Sequence, residues 1–475
     1  MSDDPYDVIV IGAGPAGENA AGVAARGGLN VAIVESDLVG GECTFWACMP
    51  SKTLLRPGEA LDAARRVPGA AAAVNGQIDV AAALERRNLM VSRWNDAGQV
   101  HWLDAAGVTL LRGHARLAGN RRVTVTADDG SEHVHEVARA VVLATGSTPH
   151  IPDIEGLEAA GVWDSRGLTS AEELPERLGI IGGGTVGVEM AQAWAWLGSK
   201  VTIIERGDQL LPREEPFAGV EVRRSLLHLG VDIIEHTTVR KVTRPTDGGP
   251  VAIEMAGPDG PARLEVDELA VATGRRPRTR DLGLETVGLN GELTVNDHLQ
   301  VEAVEGGWLY AVGDVSGRAL LTHVGKYQAR IAGAHIAGNA TATAGPDLTA
   351  TPRVIFTSPE VGAVGMTEAQ ARDKGIGVAT VTYDIGKIAA ASTLGKGYSG
   401  TAKLVIDRER HILLGATFVG PKAGELVHAA TVAIVGEVTL EKLWHAIPSF
   451  PTLSEIWLRL LEAYRDSPDA WDPYG

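Results

Sequence analysis

Apolar residues in this chain come in short β-branched runs cut off by glycine, with alanine-rich stretches between them. The first run, Asp7-Val8-Ile9-Val10-Ile11 ending at Gly12, lacks polar alternation. That pattern predicts a strand buried on both faces, as in a parallel sheet. The alanine-rich segment after it predicts a helix, and Val31-Ala32-Ile33-Val34, closed by Glu35, a second buried strand. The succession recurs with residues 178–181, the glycines of 182–187, residues 200–204 and Glu205. Further on, each copy is followed by a similar short strand, Val141-Val142-Leu143-Ala144-Thr145-Gly146 and Leu269-Ala270-Val271-Ala272-Thr273-Gly274. Duplication, with one unit inserted into the other, is the economical reading and predicts an α/β fold. Residues 148–160, 244–262 and 338–350 are polar and glycine-rich and read as joints or exposed hairpins. After about residue 350 the pattern alternates; 403–406 and 412–417 predict antiparallel strands, and 424–436 and 453–464 predict helices.

The glycines between strand and helix follow a rule. Gly12-Ala13-Gly14-Pro15-Ala16-Gly17 has the GxGxxG spacing that permits a tight turn and close approach of a pyrophosphate to a helix N-terminus. An acid at the end of the next strand, Glu35, is placed to accept from a ribose hydroxyl. Gly182-Gly183-Gly184-Thr185-Val186-Gly187 with Glu205 repeats the arrangement, so two nucleotides are expected.

The length of 475 residues allows several domains, each with its own core. Apolar and charged fractions of 45% and 22% are ordinary for a globular protein. A net charge of -17, from 43 basic and 60 acidic side chains, argues against general affinity for nucleic acid or anionic membranes. No apolar run reaches the length of a membrane span, so no membrane insertion is expected. The acidic start leads straight into the first strand without an export signal, which predicts a cytoplasmic location.

Only two cysteines occur, Cys43 and Cys48, just after the first fingerprint. In an ideal helix residues i and i+5 lie roughly 8 to 9 Å apart by Cα, beyond an unstrained disulfide. A bridge here therefore needs a distorted helix start, and strained, exposed disulfides are the labile, catalytic ones. A helix N-terminus and the cation Lys52 would both favour a thiolate. Two small buried hydrophobes or half of a metal site are the plainer alternatives.

These motifs resemble the pyridine nucleotide-disulfide oxidoreductases, the flavoproteins that include dihydrolipoamide dehydrogenase, glutathione reductase and mercuric reductase. The most specific part is Gly40-Gly41-Glu42-Cys43 followed by Cys48-Met49-Pro50-Ser51-Lys52, supported by Thr145-Gly146, Ala272-Thr273-Gly274-Arg275-Arg276-Pro277 and Tyr310-Ala311-Val312-Gly313-Asp314. The resemblance implies two Rossmann-like domains, for FAD and NAD(P), and a C-terminal α+β dimerisation domain. The expected boundaries are 1–150 and 279–348 for FAD, 151–278 for NAD(P) and 349–475 for a homodimer interface.

By the same resemblance, FAD is held by Gly12, Gly14, Pro15, Ala16, Gly17, Glu35 and Gly41, by the backbone at His114 and Ala115, and by Thr145, Gly146, Ser147, Gly313, Asp314, Leu321 and Thr322. NAD(P)H is held by Gly182, Gly184, Gly187, Glu205 and Gly274. Cys48 is implied beside the flavin, with Cys43 the sulfur that exchanges with substrate, Lys52 near the ring and Glu189 pairing with Lys52. A solvated helix charge is the plainer reading of Glu189. Electrons then run from the nicotinamide through the flavin to the cysteine pair and on to a small-molecule acceptor; no metal site is expected. Glu205 favours a free ribose hydroxyl over a 2'-phosphate, hence NADH, although Arg206 beside it could embrace that phosphate.

The pattern breaks at the C-terminal end. The family closes with His-Pro-Thr and then a glutamate, the histidine reaching across the dimer to serve the exchanging thiol. Here the stretch is Ser449-Phe450-Pro451-Thr452-Leu453-Ser454-Glu455. Phenylalanine carries no proton, while the orienting carboxylate Glu455 remains. His445 is a candidate substitute, though packing beside Trp444 is the simpler reading. The additional C-terminal cysteines on which mercuric reductase relies are absent as well. Phe45 and Trp46 between the cysteines predict either core packing or a stacking platform for a flat acceptor such as a quinone. Three functions remain open at this point: a relay through the cysteines to a small disulfide or other acceptor, a diaphorase reducing quinones directly from flavin, and a flavin-bearing component or sensor of a larger assembly.

Overall fold

The computed structural model describes residues 5–246, 248–468 and 471–474. It divides into two compact units, one built from 1–50, 87–150 and 275–348, the other from 51–86, 151–274 and 349–475.

In the first unit the β-branched runs lie side by side. Strands Val108–Arg112, Val31–Glu35, Tyr6–Ile11 and Glu132–Leu143 follow one another in the sheet, with Leu309–Ala311 parallel against the last. Ile9 faces Ala32 on one side and Val141 on the other, and Val8, Ile9 and Val10 are fully buried. This is why the run lacks alternation: both faces are covered. Strand Glu132–Leu143 is longer than the run from 141 predicted, because its first half leaves the parallel sheet to pair antiparallel with Arg122–Thr126, which in turn pairs with His114–Leu117. The helices Pro15–Arg26 and Thr322–Ile336 pack against each other, with the side chain of Val23 over Gly333.

The second unit repeats the theme. Strands Asp232–Ile234, Lys200–Ile204, Arg177–Ile181 and Glu268–Val271 form a parallel sheet, and Ile180 faces Ile203 and Ala270. Segment 244–262 contributes a hairpin, Val251–Gly257 against Gly260–Val266. Helix Thr185–Leu197 is buried along most of its length, with the Trp194 indole donating to the Leu168 carbonyl at 3.2 Å. Beyond 350 comes a five-stranded antiparallel sheet ordered Pro352–Ile355, Glu360–Gly365, Ile412–Gly420, Thr401–Asp407 and Val378–Asp384, covered by helices Ala423–Val435 and Glu455–Arg465. Residues 51–86 group with this unit. Leu54, Leu55 and Leu84 account for it, since they pack into the cluster around Trp194.

Candidate active site

Both fingerprints make the same turn. Gly12 has φ +99° and Gly182 φ +110°, and a Cβ at either would lie 2.5 or 2.6 Å from the carbonyl oxygen of Ala144 or Ala272, so only glycine fits. Gly17 and Gly187 press equally closely on the carbonyls of Gly12 and Gly182. Gly14 and Gly184 are the N-caps of helices Pro15–Arg26 and Thr185–Leu197, neither with a side-chain cap, and the space before their Cα atoms is open to 4 Å. Unclaimed first-turn N–H groups facing open space are what an anion needs. The two acids are fixed alike: Glu35 accepts from Ala13 N at 2.7 Å and Asp37 N at 2.8 Å, and Glu205 from Gly183 N and Gly207 N, each at 2.6 Å.

Other predicted first-unit residues gather around that turn. Pro15 opens the helix, Ala16 lies against Gly313, and Gly41, at φ +58°, sits over Gly14. The Glu35 carbonyl accepts from Gly113 N, which leads into His114 and Ala115; the His114 ring turns out to Asp281. Thr145 Oγ1 donates to the Arg278 carbonyl at 2.7 Å, Gly146 turns at φ +71°, and Ser147 Oγ donates to Asp314 Oδ2 at 2.5 Å. Burial holds Asp314 above the usual carboxylate range, with Ser147 and Arg275 pulling against it. Leu321 is the N-cap of the helix that Thr322 begins. In the second unit Gly274 closes its strand at φ +116°.

Arg275, inside the Ala272–Pro277 motif, is a hub of this region: its Nε donates to Ser147 Oγ at 2.7 Å, and its Nη2 lies 3.5 Å from Glu42 Oε2. Gln328, fully buried, carried no sequence signal at all; it accepts from Gly313 N at 2.8 Å and donates to Asp347 at 2.7 Å.

The cysteines do not share a helix. Cys43 lies in the short helix Gly41–Phe45 and Cys48 begins Cys48–Arg66, with Trp46 leaving helical geometry at φ −135° between them. The break brings the two sulfurs into contact. A hydrogen bond to Cys48 raises the Cys43 pKa above the ordinary thiol value, burial adds to the rise, and Thr322 and Lys326 oppose it. Cys48 Sγ also lies 3.4 Å from Thr322 Oγ1. Phe45 is fully buried and its ring meets Trp46 at 5.6 Å, so it packs in the core instead of offering a stacking face.

In the second unit Lys52 Nζ donates to Glu189 Oε2 at 2.7 Å, and Glu189 Oε1 accepts from Phe356 N at 2.9 Å. The ammonium stands 4.8 Å from the centre of the Phe356 ring. The Glu189 side chain is 4% exposed, which removes it from the class of solvated helix charges. Glu455 stands apart from that pair: Ala389 N donates to its Oε2 at 3.2 Å, and Arg459 donates to its Oε1 at 2.7 Å. Phe450 is 74% exposed. Near it, Pro451, Thr452 and Trp457 line a cavity of about 340 Å³.

Among the described residues no group of three or more His, Cys, Asp or Glu side chains could hold a metal ion, and no helix is long and apolar enough to cross a membrane.

Comparison with known proteins gives this arrangement its class. Residues 6–339 match the pyridine nucleotide-disulphide oxidoreductase family and residues 351–460 its dimerisation domain. The chain belongs to that family, whose members use FAD and NAD(P)H. It is 36% identical over 464 residues to a dihydrolipoyl dehydrogenase of Thermus scotoductus, covering 96% of this chain and 97% of the relative. To a mercuric reductase of Staphylococcus aureus it is 31% identical over 460 residues, covering 95% and 81%. Among solved structures, a Cu(II) complex of the HOCl-induced flavoprotein disulfide reductase RclA from Escherichia coli superposes with a TM-score of 0.83 at 28% identity, covering 97% of this chain and 99% of that one. LpdA from Mycobacterium tuberculosis gives the same score and identity, covering 96% and 99%. The protein is thus an NAD(P)H-dependent flavoprotein oxidoreductase, and its dimerisation domain supports a homodimer.

The open Gly14 N-terminus, the tethered Glu35 and the buried Asp314 fit FAD: phosphates at the first, a ribose at the second, and at the third a hydroxylated chain able to use a carboxyl held above its ordinary pKa.

Proposed function

We propose that the chain passes electrons from NADH through FAD to the Cys43–Cys48 pair and on to a small disulfide or other small acceptor that needs no histidine base. The observation that carries this reading is the helix break that sets the two thiols against each other. Bound FAD supplies the two-electron carrier between nicotinamide and sulfur. In the oxidised pair the sulfur–sulfur bond accepts two electrons and breaks, leaving two sulfurs that share a proton in a hydrogen bond. Thr322 steadies Cys48, and Glu189 holds Lys52 at a fixed place one helical turn beyond it. Glu455, with its oxygens bound to Ala389 N and Arg459, acts as a positioning residue for the C-terminal loops.

The acceptor is tested at position 450. General acid–base groups are worth about 10² to 10⁴ in rate, so Phe450→His is expected to raise lipoamide-type disulfide turnover by about a hundredfold or more. An unchanged rate would mean that the site serves another acceptor; a screen of quinones and metal ions against the NADH-reduced enzyme then identifies it. Cu(II) belongs in that screen because RclA was solved with it.

The donor is tested at Glu205. Its carboxylate, pinned by two backbone N–H groups, would meet a 2'-phosphate as a like charge, which costs several kcal/mol at an interface. We expect kcat/KM for NADH to exceed that for NADPH by about tenfold or more, and a preference for NADPH would refute the assignment.

A further inference from the structure

A side-chain amide belongs in a fully buried place only when both of its ends are used, and both ends of Gln328 are. We infer that Gln328, on the helix Thr322–Ile336, is a positioning residue for FAD: it fixes the Gly313–Asp314 turn through one hydrogen bond and is itself held in place by the Asp347–Arg318 pair. This goes beyond the electron route proposed above and rests on the reading of Asp314 as an FAD contact.

The chain of bonds is continuous. Gln328 Oε1 accepts from Gly313 N at 2.8 Å, and its Nε2 donates to Asp347 Oδ2 at 2.7 Å. Asp347 Oδ1 accepts from Arg318 Nη1 at 3.1 Å, and Arg318 Nη2 donates to the carbonyls of Val295 at 2.9 Å and Asn296 at 3.1 Å. A backbone N–H can only donate, and a carboxylate paired with arginine only accepts, so a single orientation of the amide satisfies both neighbours. A glutamate here would still accept from Gly313 N but would meet Asp347 as a like charge. A leucine would leave a buried N–H unpaired.

The consequence falls on Gly313. It turns at φ +72°, and a Cβ there would lie 3.1 Å from Ala16 Cβ, so the turn is pressed against the first fingerprint helix. Gln328 holds its N–H, and Ser316 Oγ donates to its carbonyl at 2.7 Å. With both sides of Gly313 fixed, the peptide leading into Asp314 has one plane, and the Asp314 carboxyl meets Ser147 Oγ at 2.5 Å.

Among the charged groups around the amide, Asp347 faces it directly, Arg318 lies behind Asp347, and Asp297 lies 3.7 Å from Arg318 Nη2. Tyr327 is held above the ordinary phenol range, chiefly by burial and further by Asp347, with Arg330 opposing. Asp314 is raised by burial, and Glu18, on the fingerprint helix, is pushed up to about 7 chiefly by burial. Glu18 titrates in wild type and variants alike, so affinities are compared at equal pH.

The test titrates FAD back into the full-length enzyme stripped of it, following quenching of flavin fluorescence from pH 6 to 9, with a urea midpoint of the FAD-free protein alongside. Gln328→Leu is expected to weaken FAD about tenfold at every pH. Gln328→Glu should bind nearly as wild type at pH 6, where a shared proton lets the new carboxyl donate to Asp347, and about tenfold more weakly at pH 9. Adding Asp347→Asn to Gln328→Glu exchanges donor and acceptor, and should restore wild-type affinity across the range. A lower urea midpoint in Gln328→Leu with unchanged FAD affinity would reduce Gln328 to packing and overturn the inference. Should that variant fail to fold, a double variant that binds no more tightly at pH 9 than Gln328→Glu alone would overturn it too. Asp314→Ala with wild-type FAD affinity would show instead that the contact itself is misassigned, and the role of Gln328 would fall with it.

Discussion

Cys48→Ser will reduce NADH-dependent disulfide turnover by about a thousandfold or more while leaving FAD bound, because removing the reacting atom of a catalytic unit costs about as much as removing the unit. The serine hydroxyl can still reach Thr322, so the local hydrogen bond at 3.4 Å has a replacement and the fold is not challenged. What is lost is the partner of Cys43. A lone Cys43 cannot store two electrons as a bond within the chain, and an anaerobic NADH titration of the variant should end at the two electrons that flavin takes. In the wild type it should reach four. Disulfide reduction that persists in Cys48→Ser would show that electrons leave from flavin directly and that the cysteines are bystanders. Quinone reduction surviving while disulfide reduction vanishes would mark a diaphorase side activity and leave the relay in place.

Lys52→Met will destabilise the protein by about 2 to 3 kcal/mol, less than the 3 to 5 typical of one partner lost from a buried pair, because Lys52 is itself one-third exposed. The cost falls on Glu189, whose side chain is 4% exposed and would keep a single N–H donor, Phe356 N at 2.9 Å. The expected readout is a lower urea midpoint at unchanged slope. Adding Glu189→Gln to Lys52→Met should recover part of the loss, since an amide at that place needs no counter-charge, and the double-mutant cycle isolates the pair. Equal midpoints for wild type and Lys52→Met would mean that Glu189 is satisfied without the lysine. The pair also shows why Glu189 was ambiguous in the sequence: its spacing from the glycines was visible, but its burial depends on Phe356, far along the chain.

The parallel strands and both fingerprints were readable because their causes are local. A strand buried on both faces must be apolar throughout, and a backbone at φ near +100° 2.5 Å from a carbonyl admits only glycine, so such positions print themselves in the sequence. The cysteine turn was half readable. The spacing required a distortion, but not which one; the burial of Phe45 and the departure of Trp46 from helical φ provide it. Arg275 is signalled by its place in the Ala272–Pro277 motif, whereas Gln328 offers no signal, because a single buried amide between a backbone N–H and an aspartate leaves no pattern.

By itself, then, the order of residues determined the α/β class, the two nucleotide turns, the acids that close them and the pair of sulfurs. All of these follow from steric or chemical demands met within a few residues of one another. Tertiary structure alone decided that residues 51–86 join the second unit, that Glu189 is buried against Phe356 N, and that Glu455 is engaged by Ala389. Each depends on segments distant in sequence meeting in space, where burial and charge act over a few ångströms whatever the separation along the chain.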